Sequence, residues 1–194
     1  MLDSVKFEPV ADTDAWLILP IVHRDERGSF ARTWCTEMFT EAGIAFVPVQ
    51  GNSSLSAVRG TVRGMHFQRS PHSDAKVVRC SRGRIHDVIV DLRVESPTRG
   101  RAYALQLAAE TGAMLYIPGG FAHGFQTLTD DCLVEYLIGE AYVADLYDGF
   151  RHDDPALPIS WPEPVGVISD RDRDWPDLGP RTPWLAEATR AGAL

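Results

Sequence analysis

The chain has 194 residues, an apolar fraction of 44% and a formal net charge of −8. That is long enough for one good core and too acidic for nonspecific nucleic-acid binding. No apolar run reaches the length of a membrane span, and Met1 to Val10 lacks the basic-then-apolar layout of a secretory signal, so one cytoplasmic domain over residues 1–194 with no membrane partner is expected.

In chain order, the extended runs are AWLILPIV (15–22), AFVPVQ (45–50), KVVRCS (76–81), RIHDVIVDLR (84–93), RAYALQLAA (101–109), AMLYIP (113–118), GFQTLT (124–129) and CLVEYLIG (132–139). Gly, Pro, Asp and Ser break them at short intervals, the spacing of an all-β antiparallel sandwich or barrel. One helix is predicted, TEMFTEAG (36–43), with Thr36 as its N-cap and Gly43 as its stop. After ISWP (159–162) the chain is rich in Pro, Asp and Arg, which predicts a tail that wraps the barrel and ends in a short helix, PWLAEATRAG (183–192). Cys35, Cys80 and Cys132 form no CxxC pair and lie in apolar segments, so they read as buried free thiols rather than as a disulfide framework or a thiolate metal site.

Charge is unevenly spread. Between Arg59 and Arg84 seven basic residues (Arg59, Arg63, Arg69, Lys76, Arg79, Arg82 and Arg84) stand against a single acid, Asp74. An acidic protein with one cationic segment can receive an anionic ligand. Arg82 and Arg84, flanking Gly83 in a predicted turn, are expected to point into solvent.

Gly112 to Phe125, GAMLYIPGGFAHGF, fits GxxxxxPxGxxH through Gly112, Pro118, Gly120 and His123. The physical sense is a strand, a sharp Pro-Gly turn and a second strand that carries His123 inward. The segment resembles the second signature motif of the cupin barrels, which implies a cupin-type jelly roll with a few short peripheral helices. Metal-binding cupins add an HxH pair and a glutamate from the first motif. Here His66 is followed by Gln68, and no glutamate lies between His66 and Glu95. Two imidazoles alone are a poor divalent site, so neither metal nor cofactor is expected and His66 is left to act as a base.

Strand alternation puts His66 and Gln68 on one face, as it does Phe121, His123 and Phe125, and Val134, Tyr136 and Ile138. If these faces line one barrel, His66, His123 and Tyr136 converge on one pocket. Arg63, three residues from His66, belongs to the opposite face of a regular strand unless Gly64 forms a bulge that re-aims it.

Taken together, RDERGSF (24–30), VQGNSS (49–54), RGTVRGMHFQ (59–68), Lys76, DVIVDLRVESPTRG (87–100), IPGGFAHGF (117–125), Tyr136, DDPALPISWP (153–162) and SDRD (169–172) resemble, in order and spacing, the nucleotide-diphosphate 4-keto-6-deoxy-sugar epimerases, the dTDP-4-dehydrorhamnose 3,5-epimerase family. The resemblance implies epimerisation at carbon 3, carbon 5 or both, with His66 as general base oriented by Asp172, Asp170 being the competitor for that role. It further implies that Lys76 meets the enolate oxygen and that Tyr136 returns a proton to the opposite face. Arg63 and His123 hold sugar and diphosphate, and Arg27, Phe30, Gln50 and Asn52 clasp the nucleotide, partly across a homodimer interface. Such sugars feed surface polysaccharide or glycosylated metabolite synthesis.

The chain departs from the family pattern at Arg32, where a glutamate is usual, and at Phe67, Leu137 and Gly139. The catalytic set is untouched, so these changes bear on the nucleotide base and the sugar. The rival readings are a metal-dependent cupin oxygenase, a noncatalytic nucleotide-sugar binder, and a keto-sugar isomerase using the same enolate chemistry.

Overall fold

The computed structural model describes residues 5–179. In chain order these form strands β1 (Lys6–Pro9), β2 (Trp16–Leu19), β3 (Val22–Asp25) and β4 (Gly28–Ala31), then helix α1 (Thr36–Glu41). Next come β5 (Gln50–Ser56), β6 (Val62–Gln68), β7 (Lys76–Arg82), β8 (Arg84–Asp91), β9 (Ala102–Ala108), β10 (Met114–Ile117), β11 (Phe121–Thr127) and β12 (Cys132–Ile138). A three-residue strand, β13 (Tyr147–Gly149), and one turn of helix, α2 (Asp170–Arg173), complete them.

The strands form two facing antiparallel sheets, β1-β2-β10-β7-β12-β5 and β13-β6-β11-β8-β9, while β3 and β4 make a separate hairpin. The chain crosses between sheets at tight glycine turns. Gly83 (φ 82) links β7 to β8, and Gly120 (φ 91) follows Pro118 between β10 and β11, the sharp turn that the Pro-Gly pattern predicts. Arg82 and Arg84 are exposed beside the first of these.

Between the sheets, Val78, Leu115 and Val134 from one pack against Ile85, Ile89, Leu107 and Phe121 from the other, all buried. The outer faces are covered too. Helix α1 and the following loop bring Phe39, Ile44 and Phe46 onto Val77 and Met114. The tail brings Phe150 and Leu157 onto Met65, Val88 and Val90. Covered on both faces, β8 is buried almost throughout, and its apolar residues Ile85, Val88, Ile89 and Val90 accordingly point to both sides of the sheet.

Several sequence expectations are corrected. AFVPVQ is not a strand: β5 starts only at Gln50, because Pro48 has no N–H for a ladder, although the Val49 N–H still donates to the Ile138 carbonyl at 2.8 Å. The polar run QGNSSLS, without alternating apolar residues, is the real strand, and it forms an edge of the first sheet. In α1 the N-cap position falls on Cys35, in extended backbone (φ −160), and Thr36 is already helical; Gly43 (φ 76) ends the helix as expected. Cys80 and Cys132 are buried thiols but Cys35 is only half-buried, since the cap position lies at the surface end of the helix. Burial pushes the Cys80 thiol up to about 12. The tail lies along the outside of the second sheet as expected, and the helix expected over 183–192 lies outside the described residues.

Candidate active site

At one end of the sandwich the apolar filling gives way to a cavity of about 380 Å³. Its walls are the inward faces of both sheets: Gln50 and Asn52 on β5, Arg63, His66 and Gln68 on β6, Lys76 on β7, His123 on β11 and Tyr136 on β12. Tyr142, Tyr147, Arg171 and Asp172 close it from the loops, β13 and α2. Residues spread from position 50 to 172 thus meet because their strands alternate in phase about one interior.

Strand β6 carries the bulge that Gly64 suggests. His66 pairs with His123 and Arg63 with Phe125, so two steps on β11 face three on β6. The extra residue turns Arg63 and His66 to the same side, and both line the cavity. Gly64 makes this possible with φ 129, and a Cβ there would stand 2.5 Å from the Gly124 Cα. Arg63 is fixed by Nε donating to Ser56 Oγ at 3.0 Å and Nη2 to the Leu55 carbonyl at 3.1 Å.

His66 Nε2 donates to Asp172 Oδ1 at 2.6 Å. An ionised carboxylate only accepts, which puts the shared proton on Nε2 and leaves Nδ1 as the second ring nitrogen. Asp172 is 5% exposed and its Oδ2 also accepts from the Gly64 N–H at 3.2 Å. Burial by itself pushes the Asp172 carboxyl up, but the His66 hydrogen bond and charge and the Gly64 N–H outweigh it and hold the group below the usual carboxylate range. Ser169, the N-cap of α2, accepts from the Asp172 N–H and sets this geometry. The competitor Asp170 has a side chain 89% exposed and is paired with Arg173, so it does not reach His66.

His123 has its own carboxylate. Its Nε2 donates to Asp87 Oδ2 at 2.9 Å, and Asp87 is fully buried on β8 with no hydrogen-bond partner for Oδ1 among the described residues. Lys76 is buried, with Nζ 3.2 Å from Asp74 Oδ2. Tyr136 stands on the sheet opposite to His66. Burial pushes its phenol up, offset in part by Arg63 and by a hydrogen bond with Asn52, its register partner on β5.

Three lining residues carry no signal in the sequence. The Tyr147 ring is 5.6 Å from the His66 ring. Its phenol is pushed up by burial, with Arg171 acting the other way. Arg171 lies over the rings of Tyr147 at 4.6 Å and Trp175 at 5.3 Å and forms no ion pair among the described residues. Tyr142 packs at 5.6 Å on Tyr147. A three-residue strand and a single helical turn have no periodicity to read; only the SDRD motif pointed to their neighbourhood.

Arg27 and Phe30 are not brought to this cavity. They sit on the β3–β4 hairpin, where Phe30 is 69% exposed and Arg27 pairs with Asp25. Arg32 is also exposed and away from the cavity. No group of three or more His, Cys, Asp or Glu among the described residues is placed to hold a metal ion, and both amide ends of Gln68 are occupied by backbone.

A two-sheet antiparallel β sandwich whose open end presents a carboxylate-backed imidazole, a buried ammonium and an opposed phenol defines a class: a cupin-type fold carrying the kinds of group that proton transfer next to a polarised oxygen calls for. The chain belongs to the dTDP-4-dehydrorhamnose 3,5-epimerase family, whose model matches residues 10–179. It is 42% identical over 178 residues to the dTDP-4-dehydrorhamnose 3,5-epimerase of Sinorhizobium fredii, covering 91% of each chain. It is 37% identical over 191 residues to the dTDP-4-dehydrorhamnose 3-epimerase of Streptomyces niveus, covering 98% of this chain and 88% of the relative. Among solved structures, the Bacillus anthracis dTDP-4-dehydrorhamnose 3,5-epimerase with TDP and PPi bound superposes with a TM-score of 0.87 at 39% identity, covering 90% of this chain and 100% of the other.

Proposed function

We propose that this protein epimerises a dTDP-linked 4-keto-6-deoxy hexose at carbon 3, carbon 5 or both, as its relatives' names describe for them. The observation that carries the reading is the opposition of His66, held by Asp172, to Tyr136 on the facing sheet of one cavity. His66 takes the proton from a carbon beside the ketone, and the electron pair of that C–H bond moves into an enolate. Lys76 meets the enolate oxygen. Tyr136 gives a proton to the other face of the same carbon, which restores the ketone with inverted configuration, and solvent resets both groups. A carbon acid next to a ketone needs both the base and the oxyanion partner, and this cavity supplies them from side chains.

Arg63 and Arg171 are cations without an ion-pair partner among the described residues, and they suit a diphosphate. A volume of about 380 Å³ is near the small end for ligand sites, enough for hexose and diphosphate, with the base emerging at the mouth beside Gln50 and Asn52. Because Arg27 and Phe30 lie away from their own chain's cavity, their part in clasping the base is assigned to a second copy, which makes the working unit a homodimer. None of the helices among the described residues is long and apolar enough to cross a membrane.

The test is incubation with dTDP-4-keto-6-deoxyglucose in deuterated water, followed by NMR. Deuterium at carbon 3, carbon 5 or both, with inversion, is expected and identifies the carbon. Turnover of a uridine or guanosine analogue in preference to the thymidine one overturns the choice of base. No exchange with any 4-keto sugar nucleotide overturns the enzyme.

A further inference from the structure

Gln68 stands where a second imidazole would complete a metal-binding HxH pair, and the structure gives it another task. It ends β6, is 3% exposed, and uses its amide in both directions. Nε2 donates to the His72 carbonyl at 2.7 Å and to the Ala141 carbonyl at 2.9 Å, while Oε1 accepts from the Val143 N–H at 2.8 Å. The partners belong to two different loops, the one after β6 and the one after β12. On the second loop they are the residues immediately before and after Tyr142. One side chain therefore grips the backbone on both sides of a tyrosine that lines the cavity mouth.

We infer that Gln68 is a positioning residue that holds Tyr142 as the wall of the substrate cavity and so sets how tightly the nucleotide sugar is held over His66; this rests on the epimerase reading above. The physical argument is one of strength and alternatives. Tyr142 is itself 55% exposed, so burial gives its loop little hold. The other links between the two loops fall outside residues 141–143: the Gly139 N–H to the Ala75 carbonyl at 2.9 Å, the Arg69 N–H to the Leu146 carbonyl at 2.9 Å, Arg69 Nη2 to the Asp145 carbonyl at 2.6 Å, and an exposed His72–Glu140 pair at 3.5 Å. An exposed pair of that kind contributes little. The Gln68 side chain is buried and its bonds are partly so, and a carbonyl there that loses its donor has a desolvation cost unless the loop moves out to water. Movement of residues 141–143 shifts the Tyr142 ring, which packs on Tyr147, which packs in turn on His66.

The experiment is a double-mutant cycle of Gln68→Met and Tyr142→Ala, with KM, kcat and thermal midpoint measured on the dTDP-4-keto sugar. Gln68→Met is expected to raise KM on the order of tenfold with kcat within about threefold, a loss of binding common to ground and transition states. In the Tyr142→Ala background the same change is expected to move KM less than about twofold, because the clamp then has nothing to hold. Equal KM effects in the two backgrounds, or an unchanged KM in Gln68→Met, overturn the clamp. If methionine does not fold, Gln68→Glu, which keeps the acceptor for Val143 and loses both donors, is read against the same expectations. Wild-type protein that neither turns over nor exchanges overturns the epimerase reading instead, so the two failures are distinct.

Discussion

His66 and His123 face each other in the register of β6 and β11, and each is tied through Nε2 to an aspartate from elsewhere in the chain, Asp172 on α2 and Asp87 on β8. The two carboxylates are held differently. Asp172 also receives the Gly64 N–H, whereas Asp87 Oδ1 has no partner among the described residues. The cavity thus contains two oriented imidazoles on adjacent strands of one sheet, both facing the sheet that carries Tyr136.

Asp172→Asn keeps the size of the side chain and removes the charge that balances the imidazolium formed when His66 takes a proton. The expected loss in kcat is about 10²- to 10⁴-fold, the range of general-base and orienting-carboxylate effects. Asp170→Asn, altering an exposed carboxylate that does not touch His66, is expected to leave kcat within about twofold. Initial rates on one substrate preparation compare the two, and equal losses contradict the assignment.

The Asp172 carboxyl is held low in the folded state, so the unfolded chain binds more protons than the native one as pH falls through the carboxylate range. Its contribution to stability is therefore fully present above the unfolded value of about 4 and is lost as pH drops through the lower folded value. The difference in unfolding free energy between wild type and Asp172→Asn is expected to shrink as pH falls below about 4. Urea titrations across that range measure it, and a gap that widens on acidification contradicts the sign.

Tyr136→Phe removes the proton donor and leaves the base. The expected outcome is hydrogen exchange with solvent at the carbon beside the ketone, retained within about tenfold, with epimer formation down at least about 10²-fold. NMR in deuterated water separates the two rates. Since burial pushes the Tyr136 phenol above its ordinary value, it remains protonated through neutral and mildly alkaline pH, and the alkaline decline of wild-type activity is not expected below about pH 10 from this group.

Gly64→Ala places a Cβ 2.5 Å from the Gly124 Cα and 2.9 Å from the His123 carbonyl oxygen at a φ of 129. Both neighbours are backbone, so relief requires the strands to separate or the bulge to collapse. A loss of several kcal/mol in unfolding free energy is expected, with Arg63 and His66 no longer sharing a face. Denaturant unfolding checks the first, and an activity loss in any fraction that folds checks the second.

How much was legible in the sequence depended on the range of the interaction. Alternation within strands placed His66 with Gln68, and His123 with Phe125, on inward faces, and the Pro118–Gly120 turn was readable because its φ demand is local. QGNSSLS carries no strand signal because a polar edge has no apolar period to betray it. Arg171, Tyr142 and Tyr147 have no periodic signal of their own because they reach the cavity from a single turn, a loop and a three-residue strand.

The chain's own order of apolar and turn residues determined an all-β sandwich and its inward faces, since these follow from nearest-neighbour sterics and a period of two. Only the tertiary structure decided that Asp172 rather than Asp170 meets His66, that Arg63 turns inward, that Gln68 grips the loop of Tyr142, and that Arg27 and Phe30 lie away from their own cavity. Those outcomes depend on contacts between segments up to 106 residues apart, fixed by how the two sheets and the tail pack together, and no local pattern encodes that packing.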